Sequence, residues 1–505
     1  MKVVRCVAAL ALVATPSFAQ GVSDVHRPHY HYAPAENWMN DPNGLLYYEG
    51  EYHLFYQYNP YGDRWGHMSW GHAVSRDLIR WQELPVAIPE ADVMAFSGSA
   101  VLDWNDSSGF GKNGKPPLVA LYTGYNPVTK IQAQYVAYSN DRGRTWNRYG
   151  DKPVLDISST AFRDPKVFWY APGKRWVMVV VLATENKVAI YTSGDLKQWS
   201  KASEFGPAGA RSRSWECPDL FELPVEGHPD ESRWVLSIDL DQDAIGGGSG
   251  VQYFVGNFDG ARFTLDPSWG QQPVWADYGA DFYAAASWND IPQQDGRRIW
   301  IGWANDWRYA QAVPTWPSRG LMSSPRTVTL RKTTEGYRIA QAPVKEVETL
   351  RHDHVSAKDV RLAANPVNLP IKGGAVELQL DIDTGTADQI VVALTDEKGF
   401  QTLIGINPSI DELFLDRTRS GPAFHDAFPD RHTAPIKIQN GRAKLRILVD
   451  ESLVEIYADD GETTLTDRFF RGGGQLRWTA QARNGSAIMR SVDAWQMKAS
   501  PNNPG

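Results

Sequence analysis

The segment SGDLKQW, residues 193–199, recurs in related form at three other places along the chain. SRDLIRW begins at Ser75, SNDRGRTW at Ser139 and NFDGARF at Asn257, so successive starts lie 64, 54 and 64 residues apart. Each copy is a polar turn that leads into an aromatic strand residue. Chance similarity among common turn residues is the alternative. A repeat of this length predicts a β-propeller, and roughly 300 residues give about five blades of about 60 residues.

Strand-like segments surround these turns, whereas helical periodicity is almost absent after the first 20 residues. The segments are rich in Val, Ile, Tyr and Trp, and include 52–58, 118–125, 175–184, 187–193, 233–240, 251–258 and 297–304. A polar connector follows, and then strict alternation at 375–383, 444–460 and 463–470, typical of half-buried antiparallel strands. We therefore predict an all-β chain: a five-bladed β-propeller over 22–332, a linker over 333–348 and a β-sandwich over 349–499.

Composition narrows the class of protein. The 505 residues carry a net charge of −8 and no long Lys/Arg run, which argues against a nucleic-acid partner. The 20 Trp and 21 Tyr residues suit strands and sites that stack against sugar rings, although most of them are expected to pack in cores. A sequence of this kind does not indicate an oligomeric state.

The first 19 residues have the layout of a secretory signal peptide. Lys2 and Arg5 precede a short apolar run, and Ser17 to Ala19 form a small-residue cleavage site. We expect a secreted protein, extracellular or periplasmic, with no membrane association after signal removal. Cys6 leaves with the signal, so Cys217 has no partner for an intrachain disulfide.

Three acidic residues stand out among the 59 by their context. Asp41 lies in WMNDPNG, Asp164 in FRDP and Glu216 in WECPDL, each beside an aromatic residue and followed by proline within two positions. The innermost strands of a propeller converge on one axis, so these acids can meet although they are far apart in sequence. Structural Asp-Pro turns are the alternative. A retaining glycosidase needs two carboxyl groups about 5–5.5 Å apart.

Other kinds of site have little support. His29 and His31 do not form a metal-binding helix, GGGSG at 246–250 lacks the Lys and Ser/Thr of a phosphate loop, and no Ser sits in a nucleophile elbow. We expect no metal and no cofactor.

The three acidic motifs in this order resemble those of glycoside hydrolase family 32, the β-fructofuranosidases. FSGS at 96–99, the segment 65–81 and the segment 452–470 are also similar to the family, so the resemblance covers nearly all of the mature chain. It implies that Asp41 is the nucleophile, Glu216 the acid/base and Asp164 the transition-state stabiliser, with Arg163 keeping Asp164 ionised. It further implies a fructose subsite formed by Trp38, Asn40, Gln57, Trp65, Phe96, Ser97, Arg163 and Trp303, and Trp307 could exchange roles with Trp303.

The activity implied is that of a secreted retaining exo-β-fructosidase acting on fructans (levan or inulin) and on sucrose. A sucrose-preferring invertase is one alternative. A related propeller hydrolase of arabinose or xylose polymers and a non-catalytic fructan-binding propeller are the others. The intact motifs disfavour the pentosan hydrolase, and the presence of all three acids disfavours the binding protein.

Overall fold

The computed structural model describes residues 25–500, and strands make up most of this part of the chain. The predicted signal peptide lies outside the described residues. Within them the helices are short 3-10 turns, at Ala171–Gly173, Ala183–Glu185, Ala310–Ala312, Lys345–Leu350, Pro408–Ile410 and Asp459–Gly461. In residues 25–500 no helix has the length and hydropathy to span a membrane.

Five antiparallel blades follow one another along the chain, and the first strand of each is the innermost. Blade 1 contains β1 (Asn37–Tyr48), β2 (Glu51–Asn59), β3 (Ser69–Ser75) and β4 (Trp81–Ile88). Blade 2 contains β5 (Met94–Leu102), β6 (Leu118–Tyr125), β7 (Gln132–Ser139) and β8 (Asn147–Arg148). Blade 3 contains β9 (Phe162–Tyr170), β10 (Arg175–Leu182), β11 (Lys187–Ser193) and β12 (Ser200–Phe205). Blade 4 contains β13 (Trp215–Val225), β14 (His228–Leu240), β15 (Gly250–Phe258) and β16 (Phe263–Leu265). Blade 5 contains β17 (Tyr283–Ser287), β18 (Arg298–Trp303), β20 (Arg326–Thr333) and β21 (Gly336–Pro343), and the short β19 (Ser318–Arg319) pairs with β1.

The repeated sequence segment is the turn between the third and fourth strands of blades 1 to 4. In blade 1 the Asp77 carboxylate accepts hydrogen bonds from the backbone N–H groups of Ile79 (3.1 Å) and Arg80 (2.8 Å). Asp195 and Asp259 close their turns in the same way, and Asp141 does so with a residue four positions on. These side-chain-to-backbone bonds explain why Asp recurs at this position. The propeller prediction is confirmed.

Blade 5 ends in a different turn, and this changes the interpretation of one segment. The turn between β20 and β21 is closed by Thr333, whose hydroxyl donates to the Gly336 carbonyl (2.9 Å), so it lacks the Asp signature. β21 itself occupies part of the predicted linker, 333–348. Most residues of β21 are buried, and the charged residues that make this segment resemble a connector lie on either side of the strand.

The β-sandwich follows as two six-stranded sheets. One sheet holds β22 (Arg351–Leu362), β33 (Ala487–Met497), β24 (Ala375–Asp383), β29 (Arg442–Asp450), β30 (Leu453–Ala458) and β31 (Thr463–Arg468). The other holds β23 (Val367–Lys372), β32 (Arg477–Arg483), β25 (Gln389–Thr395), β26 (Gln401–Asn407), β27 (Glu412–Arg419) and β28 (Arg431–Pro435). Alternate residues of both sheets fill the core between them, as the period-2 pattern predicted.

Buried polar side chains join the sandwich to the propeller. Asp450 accepts hydrogen bonds from the backbone N–H groups of His29 (2.6 Å), Tyr30 (2.9 Å) and His31 (2.9 Å). The His31 ring also contacts Glu455 at 2.9 Å, so this histidine is a structural residue. Arg326 of blade 5 pairs with Asp277 at 2.9 Å and with Glu455 of the sandwich at 2.8 Å.

Replacing Arg326 with Ala is expected to destabilise the whole molecule by about 3–5 kcal/mol, because it removes the counter-charge of the buried Asp277 and leaves Glu455 with His31 alone. Arg326 is fully buried. Chemical denaturation of the purified variant measures the loss. Arg331→Ala on the same strand removes partly exposed pairs with Glu226 (2.7 Å) and Glu462 (3.7 Å) and is the control, with an expected cost of about 0–1 kcal/mol. Equal costs for the two variants would contradict the central role of Arg326.

Candidate active site

The WMNDPNG motif is part of β1 and not a separate turn. The strand runs from Asn37 to Tyr48, but its pairing with β2 shifts register between Met39 and Pro42. Pro42 has no N–H to donate, and Gly44 has a φ of 55° where an added Cβ would lie 2.6 Å from the Phe55 ring. The turn formers therefore produce a bulged strand, which aims Asp41 towards the propeller axis.

The other innermost strands are irregular at the same end. β5 shifts register between Ala95 and Gly98, β13 between Glu216 and Asp219, and β17 between Tyr283 and Ala286. The pairing of β9 with β10 also shifts, beside Arg163. Asp164 and Cys217 have positive φ values of 64° and 44°. In all five blades the regular hydrogen-bond ladder is therefore interrupted near the propeller axis. These interruptions point polar side chains towards one shared cavity.

Asp41 is held by two hydrogen bonds. Asn40 Nδ2 donates to its Oδ1 at 2.9 Å and Ser97 Oγ donates to its Oδ2 at 2.6 Å. Trp38 Nε1 in turn donates to Asn40 Oδ1 at 2.7 Å, which fixes the orientation of the Asn40 amide. Trp38 is itself fully buried. The indole in the motif therefore positions the residue that holds Asp41 and lies behind the cavity, which corrects the expectation that Trp38 forms its wall.

Glu216 and Asp164 lie beside Arg163. Arg163 Nη2 donates to Glu216 Oε1 at 2.6 Å, and its Nε lies 3.7 Å from Asp164 Oδ2. The Tyr283 hydroxyl donates to Glu216 Oε2. Cys217 connects the three acids, since its N–H donates to Asp164 Oδ2 at 3.1 Å and its Sγ lies 3.7 Å from Asp41 Oδ2. The three acidic residues singled out in the sequence therefore meet at one place.

Burial controls the electrostatics of the cluster. It raises the pKa of Asp41, opposed by the hydrogen bonds from Ser97 and Asn40. Burial also raises the pKa of Asp164 to about 7, and the charges of Glu216 and Asp41 add to this against the effect of Arg163. Arg163 alone therefore does not determine the ionisation of Asp164, because burial and the two neighbouring carboxylates act against the guanidinium.

A fourth acid, Asp239, lies beneath this cluster and had no signal in the sequence. Burial raises its pKa well above the usual range, and the charges of Asp41, Glu216 and Asp164 add to the effect. It faces Glu216 across the β13–β14 ladder and accepts a hydrogen bond from the Ala285 N–H at 2.9 Å. Burial and mutual repulsion therefore raise the pKa values of Asp41, Asp164 and Asp239 together, which favours their protonated forms.

The cavity above the acids has a volume of about 200 Å³. The residues that line it are Asn40, Asp41, Gln57, Trp65, Phe96, Ser97, Arg163, Asp164, Glu216 and Trp307. Gln57 is fixed by donating to Asn43 Oδ1 (2.7 Å) and to the Ala95 carbonyl (2.9 Å).

Trp303 is a correction to the predicted subsite. Its side chain is fully buried behind Trp38, with ring centroids 5.8 Å apart. Trp307, stacked on Trp38 at 6.0 Å, lines the cavity in its place. The two tryptophans lie four residues apart around a strand end, and sequence alone does not show which of them faces inwards. Tyr283 was also missed, because no motif marks it.

Comparison with known proteins agrees with this arrangement. The model of the glycosyl hydrolases family 32 N-terminal domain matches residues 31–343, and that of the family 32 C-terminal domain matches residues 346–496. The chain belongs to glycoside hydrolase family 32 and is a glycoside hydrolase.

Two curated relatives and one solved structure illustrate the similarity. A levanase from Bacillus subtilis is 44% identical over 512 residues, covering 98% of this chain and 75% of that protein. An extracellular exo-inulinase from Aspergillus ficuum is 41% identical, covering 88% and 89%. The crystal structure of an exo-inulinase from Aspergillus awamori superposes with a TM-score of 0.88 at 36% identity, covering 95% of this chain and 99% of that one. The resemblance predicted from the motifs is confirmed.

Proposed function

We propose that this protein is a secreted retaining exo-β-fructosidase, which removes terminal β-D-fructofuranosyl units from levan or inulin and also hydrolyses sucrose. The observation that carries the proposal is the meeting of Asp41 and Glu216 in one small cavity, each fixed by its own pair of hydrogen-bond donors. Relatives named levanase and exo-inulinase support the fructan substrate. The signal-like residues 1–19 support export.

In the first step Asp41 Oδ2 attacks the anomeric C2 of the terminal fructosyl unit. Glu216 donates a proton to the glycosidic oxygen as the C2–O bond breaks, so the leaving sugar departs as a neutral alcohol. The product is a fructosyl ester on Asp41. Ser97 and Asn40 orient the attacking carboxylate, and Tyr283 and Arg163 hold the proton donor in place.

In the second step Glu216, now ionised, takes a proton from water, and the water oxygen attacks C2. The bond to Asp41 breaks and fructose leaves with its original configuration. Asp164 lies beside both reacting groups, and we assign it to the binding of sugar hydroxyls and the stabilisation of the positive charge that develops at C2. Its ionised form is the one that acts, and Arg163 favours that form.

The size of the cavity favours removal of single units. At about 200 Å³ it is smaller than the roughly 300–1,000 Å³ of sites that enclose drug-sized ligands. A space of this size holds one sugar ring, and the rest of a polymer stays outside. A sucrose-preferring invertase remains the alternative, since it would use the same fructose position.

Product analysis tests the proposal. The purified protein is given levan, inulin and sucrose in parallel, and mono- and oligosaccharides are separated at early times. We expect fructose as the first product from each polymer, with the faster polymer giving the preferred linkage. With methanol as acceptor, a retaining enzyme gives methyl β-D-fructofuranoside. Early oligofructosides would contradict exo action, the α-glycoside would contradict retention, and no release from any of the three would favour a binding protein.

A further inference from the structure

A second and larger cavity, of about 390 Å³, lies at the far end of the innermost strands. β9 carries Asp164 at the active-site end and Trp169 in this second cavity, five residues on and therefore about 16 Å away. β5 and β13 contribute to both cavities in the same way. Between the two, the buried Lys166 donates to Asp219 at 3.1 Å and to the Ser287 carbonyl at 2.6 Å. The second cavity, which we call the distal cavity, is thus separate from the active site.

Six of the fourteen residues that line the distal cavity are aromatic. They are Trp104, Phe168, Trp169, Trp176, Phe221 and Trp234. Trp104 is 64% exposed and Trp169 36% exposed, whereas Trp176 and Phe221 are buried. The cavity therefore has flat aromatic faces at its mouth and a closed aromatic floor.

The exposed indole of Trp104 is held in a fixed position. Asp290 Oδ1 accepts a hydrogen bond from Trp104 Nε1 at 3.2 Å, and Asp290 Oδ2 accepts one from the Leu102 N–H at 2.9 Å. The same half-buried carboxylate thus anchors the exposed indole to the end of β5. The arrangement fixes the ring before a ligand arrives and so lowers the entropy cost of binding.

Polar groups complete the wall without giving it a strong charge. The Arg298 guanidinium lies 5.1 Å from the centre of the Phe221 ring. The cavity is also lined by the polar side chains of Asn105, Glu222 and Asp290. One cation and two carboxylates do not favour a phosphate or a nucleic acid. A neutral ligand with flat apolar faces and many hydroxyl groups fits the combination of rings, amide and charged donors.

We propose that the distal cavity is a second, non-catalytic saccharide site, and that it binds an oligosaccharide segment of the fructan substrate. The identity of this ligand rests on the proposed function. The cavity has about twice the volume of the active-site cavity, enough for two sugar units. Binding there would keep a polymer on the enzyme while its free end is shortened, and it would leave sucrose hydrolysis unaffected.

Calorimetric titration with the tetrasaccharide nystose tests the site without catalysis. In the Asp41→Asn background we expect two binding sites, and adding Trp104→Ala should remove one of them or weaken it at least tenfold. Trp104→Phe keeps a ring and should retain most of the binding. Ile410→Ala, which removes a 65% exposed apolar side chain from the sandwich, is the matched control. A single site, or two sites unchanged by Trp104→Ala, would overturn the proposal.

Kinetics of the otherwise unaltered enzyme give the second readout. Trp104→Ala should raise KM for the preferred polymer about fivefold, with kcat and the sucrose parameters unchanged. Equal changes for polymer and sucrose would show that Trp104 acts through the active site, and would also overturn the proposal. If the proposed function is wrong, the unaltered enzyme releases no fructose. The titration then still shows whether nystose occupies the distal cavity.

Discussion

Asp41→Asn is expected to lower kcat by at least about 10⁴-fold and, at the same time, to raise the melting temperature by a few degrees. The activity falls because an amide cannot form the ester with C2. Catalytic residues that act together lose most of their rate enhancement when the nucleophile is removed. The stability rises because the native site is a poor place for a charge. Burial raises the pKa of Asp41 above its ordinary value of 3.8.

The pH dependence gives this prediction a definite sign. A carboxyl whose pKa is raised on folding binds its proton more tightly in the native state than in the unfolded state. Ionisation of Asp41 therefore lowers the free energy of unfolding. This loss develops as the pH rises from the pKa of the carboxyl in the unfolded state through its pKa in the folded state. The stability advantage of Asp41→Asn should grow from acid to neutral pH. The amide fits the site, because the Ser97 hydroxyl can turn to accept from it.

Asp77→Asn is the matched control for the same substitution. Asp77 is also partly buried, but hydrogen bonds led by the Arg80 N–H outweigh burial and lower its pKa. This variant should lose stability at neutral pH and keep its kcat, the opposite of Asp41→Asn in both respects. Circular dichroism, thermal unfolding at several pH values and sucrose kinetics make the comparison. An active Asp41→Asn enzyme would refute the role of nucleophile.

Glu216→Gln is expected to lower kcat on sucrose and fructans by about 10²–10⁴-fold, the usual contribution of a general acid/base. The amide keeps the contacts to Arg163 and Tyr283 but has no proton to give to the leaving oxygen. Glu226 directly follows β13, the strand that carries Glu216. The control variant Glu226→Gln removes only a partly exposed ion pair with Arg331 and should leave kcat unchanged.

Chemical rescue distinguishes this role from a general loss of structure. A β-fructofuranoside with a nitrophenol leaving group needs little protonation, so the first step should recover in Glu216→Gln. Azide needs no base to attack C2, so it should restore turnover and yield the β-fructosyl azide. Asp41→Asn should not respond to either change. No response in Glu216→Gln would mean that Glu216 is not the acid/base.

Local signals made much of the fold predictable, and their absence explains the errors. Asp77, Asp141, Asp195 and Asp259 each close a turn through their own side chain, so the period of the blades could be read directly. Blade 5 uses Thr333 instead, and charged residues on both sides of its last strand make the segment resemble a linker, although most of that strand is buried.

The candidate site shows a similar division. Asp41, Asp164 and Glu216 could be found because each is followed closely by proline, which marks the strand irregularity that aims it inwards. No proline follows Tyr283 or Asp239 closely. Asp239 lies opposite Glu216 through the pairing of β14 with β13, whereas Tyr283 reaches Glu216 only through the closure of the ring. The pKa of Asp164 depends on how near Asp41 and Glu216 lie in space. The sequence shows only that Arg163 is adjacent to Asp164, and not that the two other acids are close.

The contacts of Asp450 have a consequence for how the molecule is made. The backbone N–H of His29 bonds to a carboxylate that is synthesised 421 residues later. At about 5–20 residues per second, translation reaches that carboxylate roughly 20–80 s after His29. Until then three N–H groups just before blade 1 have no partner from the sandwich, and Arg326 lacks Glu455. The segment that leads into blade 1 therefore makes its final contacts only after nearly the whole polypeptide has been synthesised, and a chain shortened before Asp450 would lack them.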